Sequence, residues 1–377
     1  MSSRVLVLGA GFGGLELSTT LSEALGEEIE VTLIDKSHGF VFGFSKLEVM
    51  FGRATPDSVR LAYSDISKPG LRVLRETITA IDPEARRVTT EAAVHEADIL
   101  VVALGADYDM DATPGLAEGG NEFYSVSGAE RLAGIIPTFS RGHAVIGVCG
   151  APFKCPPAPS ECALLLDDEL RARAVREACQ ISFVIPLSTP VPPSPETSAA
   201  LVREFAERDI TLIAGRRVEA LDPLRSVAIL DDGTELAFDL FLGVPKHRAP
   251  EVVLASGMTE DGYIPVDSAT LETRFPGVYA IGDVATAGVP KAGVFAEGAA
   301  RIVAQTVIAT LRGGQQPGPH LGQGTCYIEF GQGRVGSVDI DFLSGPSRTG
   351  SFNAPSAQLV AEKERFGSDR RARWFGR

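Results

Sequence analysis

Residues 5–14 read Val-Leu-Val-Leu-Gly-Ala-Gly-Phe-Gly-Gly, and no other stretch limits the fold as tightly. Four apolar residues in a row suit a strand buried on both faces. Gly9, Gly11 and Gly14 then supply the G-x-G-x-x-G spacing, and residues 15–24 read as the helix that follows. The glycines permit a tight turn, close approach of backbone to a pyrophosphate, and close packing of helix on strand. The pyrophosphate would rest on the free N–H groups at the helix N-terminus. A second apolar strand over 30–34 ends in Asp35, placed to accept hydrogen bonds from a ribose diol and unfavourable to a 2′-phosphate. The chain thus opens with a dinucleotide-binding βαβ unit, for FAD or for NAD.

The rest of the chain continues in that style. Residues 38–52 are rich in aromatics and glycine and read as a loop, either an ordinary apolar one or the wall of a flat ring. Segments 73–75, 78–81 and 87–90 suggest a β-meander, and 98–104 is a wholly apolar strand ending in Gly105. A second unit begins near Asp107, with buried strands at 144–148, 181–185, 210–214 and 240–244 and helices at 127–139, 160–170 and 195–208. A second meander is expected over 218–238. The pattern of the first unit returns with Gly-Val-Tyr-Ala-Ile-Gly-Asp at 277–283 and a long helix at 295–311. After a Gly- and Pro-rich linker come two short strands, 325–330 and 334–339, and a polar tail. Alternating strands and helices predict an α/β fold of two Rossmann-like doubly wound domains. The expected division is 1–106 with 267–312, interrupted by 107–266, plus a small C-terminal segment over 320–377.

A formal net charge of -14 argues against nucleic acid as a partner. No stretch reads as long enough to span a bilayer, and the first strand begins too early for a signal peptide. A cytoplasmic protein is expected, and nothing excludes a homo-oligomer. No metal site is expected. In such a compartment the five cysteines (149, 155, 162, 179 and 326) would be redox-active rather than structural where they pair.

Three motifs in order carry a resemblance: Gly9-Gly11-Gly14 with Asp35, the 101–106 strand end Val-Val-Ala-Leu-Gly-Ala, and Tyr-Ala-Ile-Gly-Asp at 279–283. Over residues 4 to about 311 the chain resembles the two-domain flavoproteins of the pyridine nucleotide–disulfide oxidoreductase superfamily. The resemblance implies FAD at the first glycine motif, with Gly105, Gly282 and Asp283 beside it. Where most members carry a second glycine motif for NAD(P)H, residues 147–157 read Gly-Val-Cys-Gly-Ala-Pro-Phe-Lys-Cys-Pro-Pro. Prolines lack the N–H groups that cradle a pyrophosphate, so the second domain reads as a nucleotide fold without that ligand.

The 147–157 turn is similar to the matching segment of sulfide:quinone oxidoreductases and of the flavoprotein subunit of flavocytochrome c sulfide dehydrogenase. That resemblance implies a redox pair made of Cys155 and Cys326, the latter in Thr-Cys-Tyr at 325–327. Hydrosulfide would attack the disulfide, leave one cysteine as a persulfide, and free a thiolate that passes two electrons to the flavin. Lys154 would favour thiolate at Cys155. Glu161 matches a family acid that moves protons, or is a first-turn residue favoured by the helix dipole. Lys291 matches an element close to the flavin, or is a surface lysine. Cys162 and Cys179 read as small buried residues, and Cys149 fits either description. With no cysteine before Cys149, FAD is expected to be noncovalent.

Quinone is the expected acceptor, since no haem motif or export signal is present. Quinone is bilayer-borne, so contact with the inner face of the cell membrane is expected, and the basic, aromatic tail (Arg365, Phe366, Arg370, Arg371, Arg373, Trp374, Phe375, Arg377) reads as an interfacial anchor or as a solvated tail. Two alternatives stand beside sulfide oxidation: a type II NAD(P)H:quinone dehydrogenase, and a flavin-bearing binding protein without turnover.

Overall fold

The computed structural model describes residues 3–376. Its first layer is a parallel sheet ordered Val278–Ala280, Ile99–Val102, Ser3–Leu8, Ile29–Asp35, Leu71–Arg75. Strands this deeply buried need no polar face, and accordingly Val5, Leu6, Val7 and Leu8 are all in the core. The strand that completes this sheet, Val278–Ala280, comes after the whole second sheet in sequence.

The second sheet is also parallel and runs Asn121–Glu122, Leu240–Val244, Gly142–Val148, Cys179–Ile185, Ile210–Ala214. Each unit carries an antiparallel three-stranded meander, over Ile78–Glu96 and Val218–Ala237.

Several elements differ from the sequence reading. Leu71–Arg75 is an edge strand of the first parallel sheet, not the start of the meander. Its register with Val31–Asp35 is a non-local choice that local alternation does not reveal. The first helix begins at Phe12, three residues earlier than expected, because Gly11 serves as its N-cap. The 38–52 stretch holds a two-residue strand, Gly39–Phe40, and a helix, Ser45–Met50, rather than a plain loop. The helix Gly293–Arg312 has the length and apolar composition of a bilayer span, with mean hydropathy 1.3, so the expectation that no stretch qualifies is corrected. Half of that window is buried, and the helix packs along Phe12–Leu25 in the first unit.

The largest correction concerns the C-terminus. The strands Gln323–Gly331 and Arg334–Asp341 gain a third, Thr349–Asn353, and the polar tail is a 19-residue helix, Ala357–Phe375. Trp374 is 0% exposed and packs against Phe12, Phe40 and Phe42, with ring centroids 5.8, 5.6 and 6.3 Å away. Arg370 and Arg373 reach into the body to Glu297 and Glu16, which are 2% and 1% exposed. Trp374 Nε1 donates to Glu16 Oε2 at 2.9 Å and Arg301 Nε to Glu16 Oε1 at 2.6 Å. Trp374, Phe375, Arg370 and Arg373 are therefore committed to the protein interior and do not form an interfacial anchor. Arg365 and Arg371 stay exposed, and Arg377 lies outside the described residues.

The Cys326 strand is fixed from below. Arg208 Nη2 donates to the Phe330 carbonyl at 2.9 Å and its Nη1 to Asp168 Oδ1 at 2.7 Å, while Arg334 forms a bidentate pair with Glu204 at 2.9 and 2.7 Å. These bonds tie the C-terminal sheet to helices Ala158–Ala172 and Pro195–Glu207 of the second unit.

Candidate active site

The glycine turn is shaped by contacts that exclude any side chain. A Cβ on Gly14 would stand 1.9 Å from the Gly9 carbonyl oxygen. Gly9 has φ +96° and its Cβ would stand 2.5 Å from the Ala103 carbonyl oxygen. A Cβ on Gly11 or Gly105, in contrast, would point into open space. Asp35 accepts from the Ala10 N–H and the Ser37 N–H, both at 2.8 Å, so it braces the turn as well as ending the strand. Tyr63 donates from its hydroxyl to the Ala10 carbonyl at 2.8 Å.

Gly11 and Gly13 border a cavity of about 300 Å³. Its lining also includes Gly105, Gly282, Asp283, Cys155, Cys326, Glu161 and Lys363. Three helices begin at its wall: Phe12–Leu25, Ala158–Ala172 and Gly293–Arg312. None of the three has a side-chain cap. Their free N–H groups and positive dipole ends favour negative charge inside the cavity. The aromatic stretch at 38–52 does form part of the wall, through Phe40 and Phe44.

The structure thus brings Cys155, Cys326, Glu161, Lys291, Asp283, Gly105, Gly282 and Gly11 to one cavity, whereas Gly9, Gly14 and Asp35 shape its rim from behind. Cys155 has φ +48°, a left-handed conformation that turns the chain sharply before Pro156, and its N–H donates to the Lys291 carbonyl at 2.8 Å. It is exposed and lines the cavity, with protein packed around its thiol. Burial pushes the Cys155 thiol well above its ordinary range; the Glu161 carboxyl and Cys326 add to this, and Lys363 opposes it. Burial and Glu161 likewise push Cys326 up to about 12. Lys154 does not act on Cys155 as expected: its ammonium donates to the Ala106 carbonyl at 2.7 Å and sits 4.4 Å over the Tyr108 ring. The cation that favours thiolate comes instead from Lys363 on the C-terminal helix.

Glu161 is buried in the first turn of its helix, and its Oε1 accepts from the Glu329 N–H at 2.9 Å. Burial raises its carboxyl to about 7, Lys363 pulls it back, and Glu329 adds to the rise. Lys363 pairs with Glu329, which Arg53 approaches at 3.5 Å from the surface. Lys291 is buried as well, donating to the Asp283 carbonyl and lying 3.5 Å over the Tyr263 ring; burial lowers its ammonium to about 8. It is not a surface lysine. Burial raises the Asp283 carboxyl, while Lys154, Lys291 and Lys46 lower it. Cys149, Cys162 and Cys179 are all buried, as small core residues are.

Sequence reading missed Tyr124 and Lys363 of this wall and took Phe366, which also lines it, as part of an interfacial or solvated tail. Each enters from an element whose position depends on tertiary packing, and none sits in a motif.

A family model described as pyridine nucleotide-disulphide oxidoreductase matches residues 3–313. The chain belongs to this family. It is 24% identical over 374 residues to the mitochondrial sulfide:quinone oxidoreductase of Mus musculus, covering 94% of this chain and 82% of that one. The crystal structure of the sulfide:quinone oxidoreductase from Aquifex aeolicus superposes with a TM-score of 0.81 at 23% identity, covering 98% of this chain and 90% of that one. A shorter similarity, 36% over 104 residues and 27% of this chain, links it to a type II NADH:quinone oxidoreductase of Staphylococcus aureus (strain NCTC 8325 / PS 47), of which 26% is covered. The chain is thus a member of a flavoprotein oxidoreductase family, and its two parallel sheets are that family's architecture.

Proposed function

We propose that this protein is an FAD-dependent oxidoreductase that oxidises sulfide through Cys155 and Cys326 and passes the electrons to a quinone. The observation that carries the reading is one cavity lined both by the glycine turn and by two thiols and a near-neutral carboxyl. The cradle fits a dinucleotide, because the Gly11 and Gly105 Cα atoms face open space and the first helix leaves its N-terminal N–H groups uncapped. FAD, when bound, supplies a two-electron acceptor between sulfur and quinone. It is held noncovalently, since no cysteine precedes Cys149. In this reading residues 1–106 and 267–312 hold the cofactor, 107–266 present Cys155 and Glu161, and 320–377 close the cavity over them.

Each side chain then has a task. Cys155 and Cys326 close to a disulfide, which needs Cα atoms within about 7 Å. Hydrosulfide attacks the sulfur that the cavity leaves accessible. Glu161 takes and returns protons near neutral pH at Oε2, since Oε1 already receives the Glu329 N–H. Lys363 steadies the thiolate and Glu161 together. Lys291 and the three helix N-termini hold positive potential where electrons arrive. Quinone being bilayer-borne, the enzyme works at the inner face of the membrane, by a surface other than the buried aromatic end of the C-terminal helix.

Anaerobic titration of the FAD-loaded protein tests this. Sulfide is expected to bleach the flavin band, and Cys155→Ser to abolish that bleaching; a Cys155→Ser variant reduced by sulfide at the wild-type rate would sink the proposal. The stretch of similarity to a type II NADH:quinone oxidoreductase favours a second reading, in which NADH is the donor. Against it stands the helix Ala158–Ala172, whose N-terminus follows two prolines and faces the same cavity as the first glycine turn. Fast bleaching by NADH and none by sulfide would select that reading, and bleaching by neither would leave a flavin-bearing binding protein.

A further inference from the structure

One polar group in the cavity wall has no role in this account. Tyr124 borders the cavity, is 6% exposed, and its hydroxyl is buried without a hydrogen-bond partner. Everything else about the residue is fixed. Its N–H donates to Glu122 Oε2 at 2.7 Å, and its carbonyl accepts from Lys46 Nζ at 2.6 Å and from the Tyr108 hydroxyl at 2.8 Å. Its ring stands edge-on to His247 at 5.3 Å and tilted against Phe123 at 5.1 Å. His247 is held in turn, with Nδ1 2.8 Å from the Pro245 carbonyl. Burial raises the phenol well above its ordinary value, and Cys155, Tyr108, Cys162 and Glu161 act in the same direction. At neutral pH the group is a donor held in place with nothing to donate to, a costly arrangement unless the cavity's contents receive it.

We propose that the Tyr124 hydroxyl is the donor that holds the outer sulfur of a persulfide on Cys155. The proposal rests on the reading of Cys155 and Cys326 as the redox pair. Tyr124 and Cys155 line the same cavity, yet the hydroxyl makes no bond to the Cys155 thiol itself. A persulfide places one more sulfur about 2 Å beyond Cys155 Sγ, which supplies the missing acceptor. Access also selects this cysteine, because Cys155 is exposed to the cavity and Cys326 is half-buried.

The step balances within the pair. The hydrosulfide sulfur forms a bond to Cys155 Sγ as the Cys155–Cys326 bond breaks. The incoming sulfur is oxidised, and Cys326 leaves as the thiolate with the electron pair. The proton of the outer sulfur goes to Glu161, and the anionic sulfur left behind accepts from Tyr124. A second hydrosulfide would carry the outer sulfur away as a disulfane anion, freeing the Cys155 thiolate, and the two thiolates would then close again to the disulfide with their electron pair taken up by FAD, the two-electron acceptor of the proposed function.

Tyr124→Phe tests this, since the phenyl ring keeps the packing on His247 and Phe123. The FAD-loaded variant and wild type are each given one equivalent of sulfide without oxygen. The rate of flavin bleaching is followed against pH, and alkylated peptides are weighed for an added sulfur. The extra sulfur is expected on the Cys155 peptide of the wild type. The variant is expected to bleach about tenfold more slowly, with its pH profile moved to higher pH and its oxidised flavin spectrum unchanged. An unchanged rate and pH profile in Tyr124→Phe would overturn the proposal. So would added sulfur on the Cys326 peptide alone, or a changed flavin spectrum before any sulfide is added, which would place the hydroxyl on the cofactor. Failure of the underlying reading is told apart by Cys155→Ser: bleaching at the wild-type rate there rejects the redox pair itself.

Discussion

Glu161 shows how much a single buried carboxyl can decide. Its carboxyl is raised from 4.5 to about 7, chiefly by burial. A group with a raised folded value contributes relative stability below its unfolded value and loses it as pH climbs through the folded one. Between about pH 4.5 and 7 the protein therefore loses roughly 3 kcal/mol at this site. Glu161→Gln is expected to be the more stable protein at pH 8 by that order, with the difference vanishing near pH 4, as denaturant melts at the two pH values would show. The same variant should lose the ionisation near pH 7 from the pH profile of flavin reduction. The sequence points to Glu161 because it follows the Cys155 turn, but its raised carboxyl depends on burial, with Glu329 arriving from elsewhere to add to the rise and Lys363 to oppose it. Likewise Lys154 stands beside Cys155 in sequence and turns away from it in space, toward the Ala106 carbonyl. Adjacency along a chain does not fix direction at a left-handed turn.

At the scale of elements, the parallel strands were legible because a run such as Val-Leu-Val-Leu has no other comfortable place. The C-terminal helix was not. Eight of its 19 residues are charged, its apolar contacts cluster at Leu359, Trp374 and Phe375, and its partners are buried carboxylates on two other helices. A pattern search sees a solvated segment there, since the compensating charges lie 73 and 357 residues away. Trp374 is the only tryptophan, so its emission reports this helix alone. Arg370→Ala leaves the buried Glu297 with only Arg301, at 3.3 Å. Breaking such a buried pair costs about 3 kcal/mol. The Trp374 emission is expected to shift to the red at lower urea in that variant, ahead of the loss of secondary structure in the second unit. Coincident, unshifted transitions would mean that the ion pair does not hold the helix.

For the whole molecule, two similar sheets share one ligand cavity, and that asymmetry is measurable. FAD at a hundred times its dissociation constant should stabilise the apoprotein by about 2.7 kcal/mol, whereas NADH should leave its melting temperature unmoved. A comparable shift with NADH would show that the proline-filled turn still holds a nucleotide. The interruption of the first unit by the second was readable from motif order, because Gly282 and Asp283 belong beside a turn made at Gly9 to Gly14. The final closure of that unit was not readable, and it bears on how the protein is made. The aromatic nest of Phe12, Phe40 and Phe42 is synthesised more than three hundred residues before the Trp374 that fills it. At roughly 5–20 residues per second, the nest waits some tens of seconds with its apolar face open and Glu16 without two of its partners. A nascent chain stalled or clipped short of its last turn keeps that face open permanently. The cell's chaperones and proteases can therefore tell a polypeptide that carries Trp374 from one that lacks it, beside the wall of the cavity that Phe12 and Phe40 line.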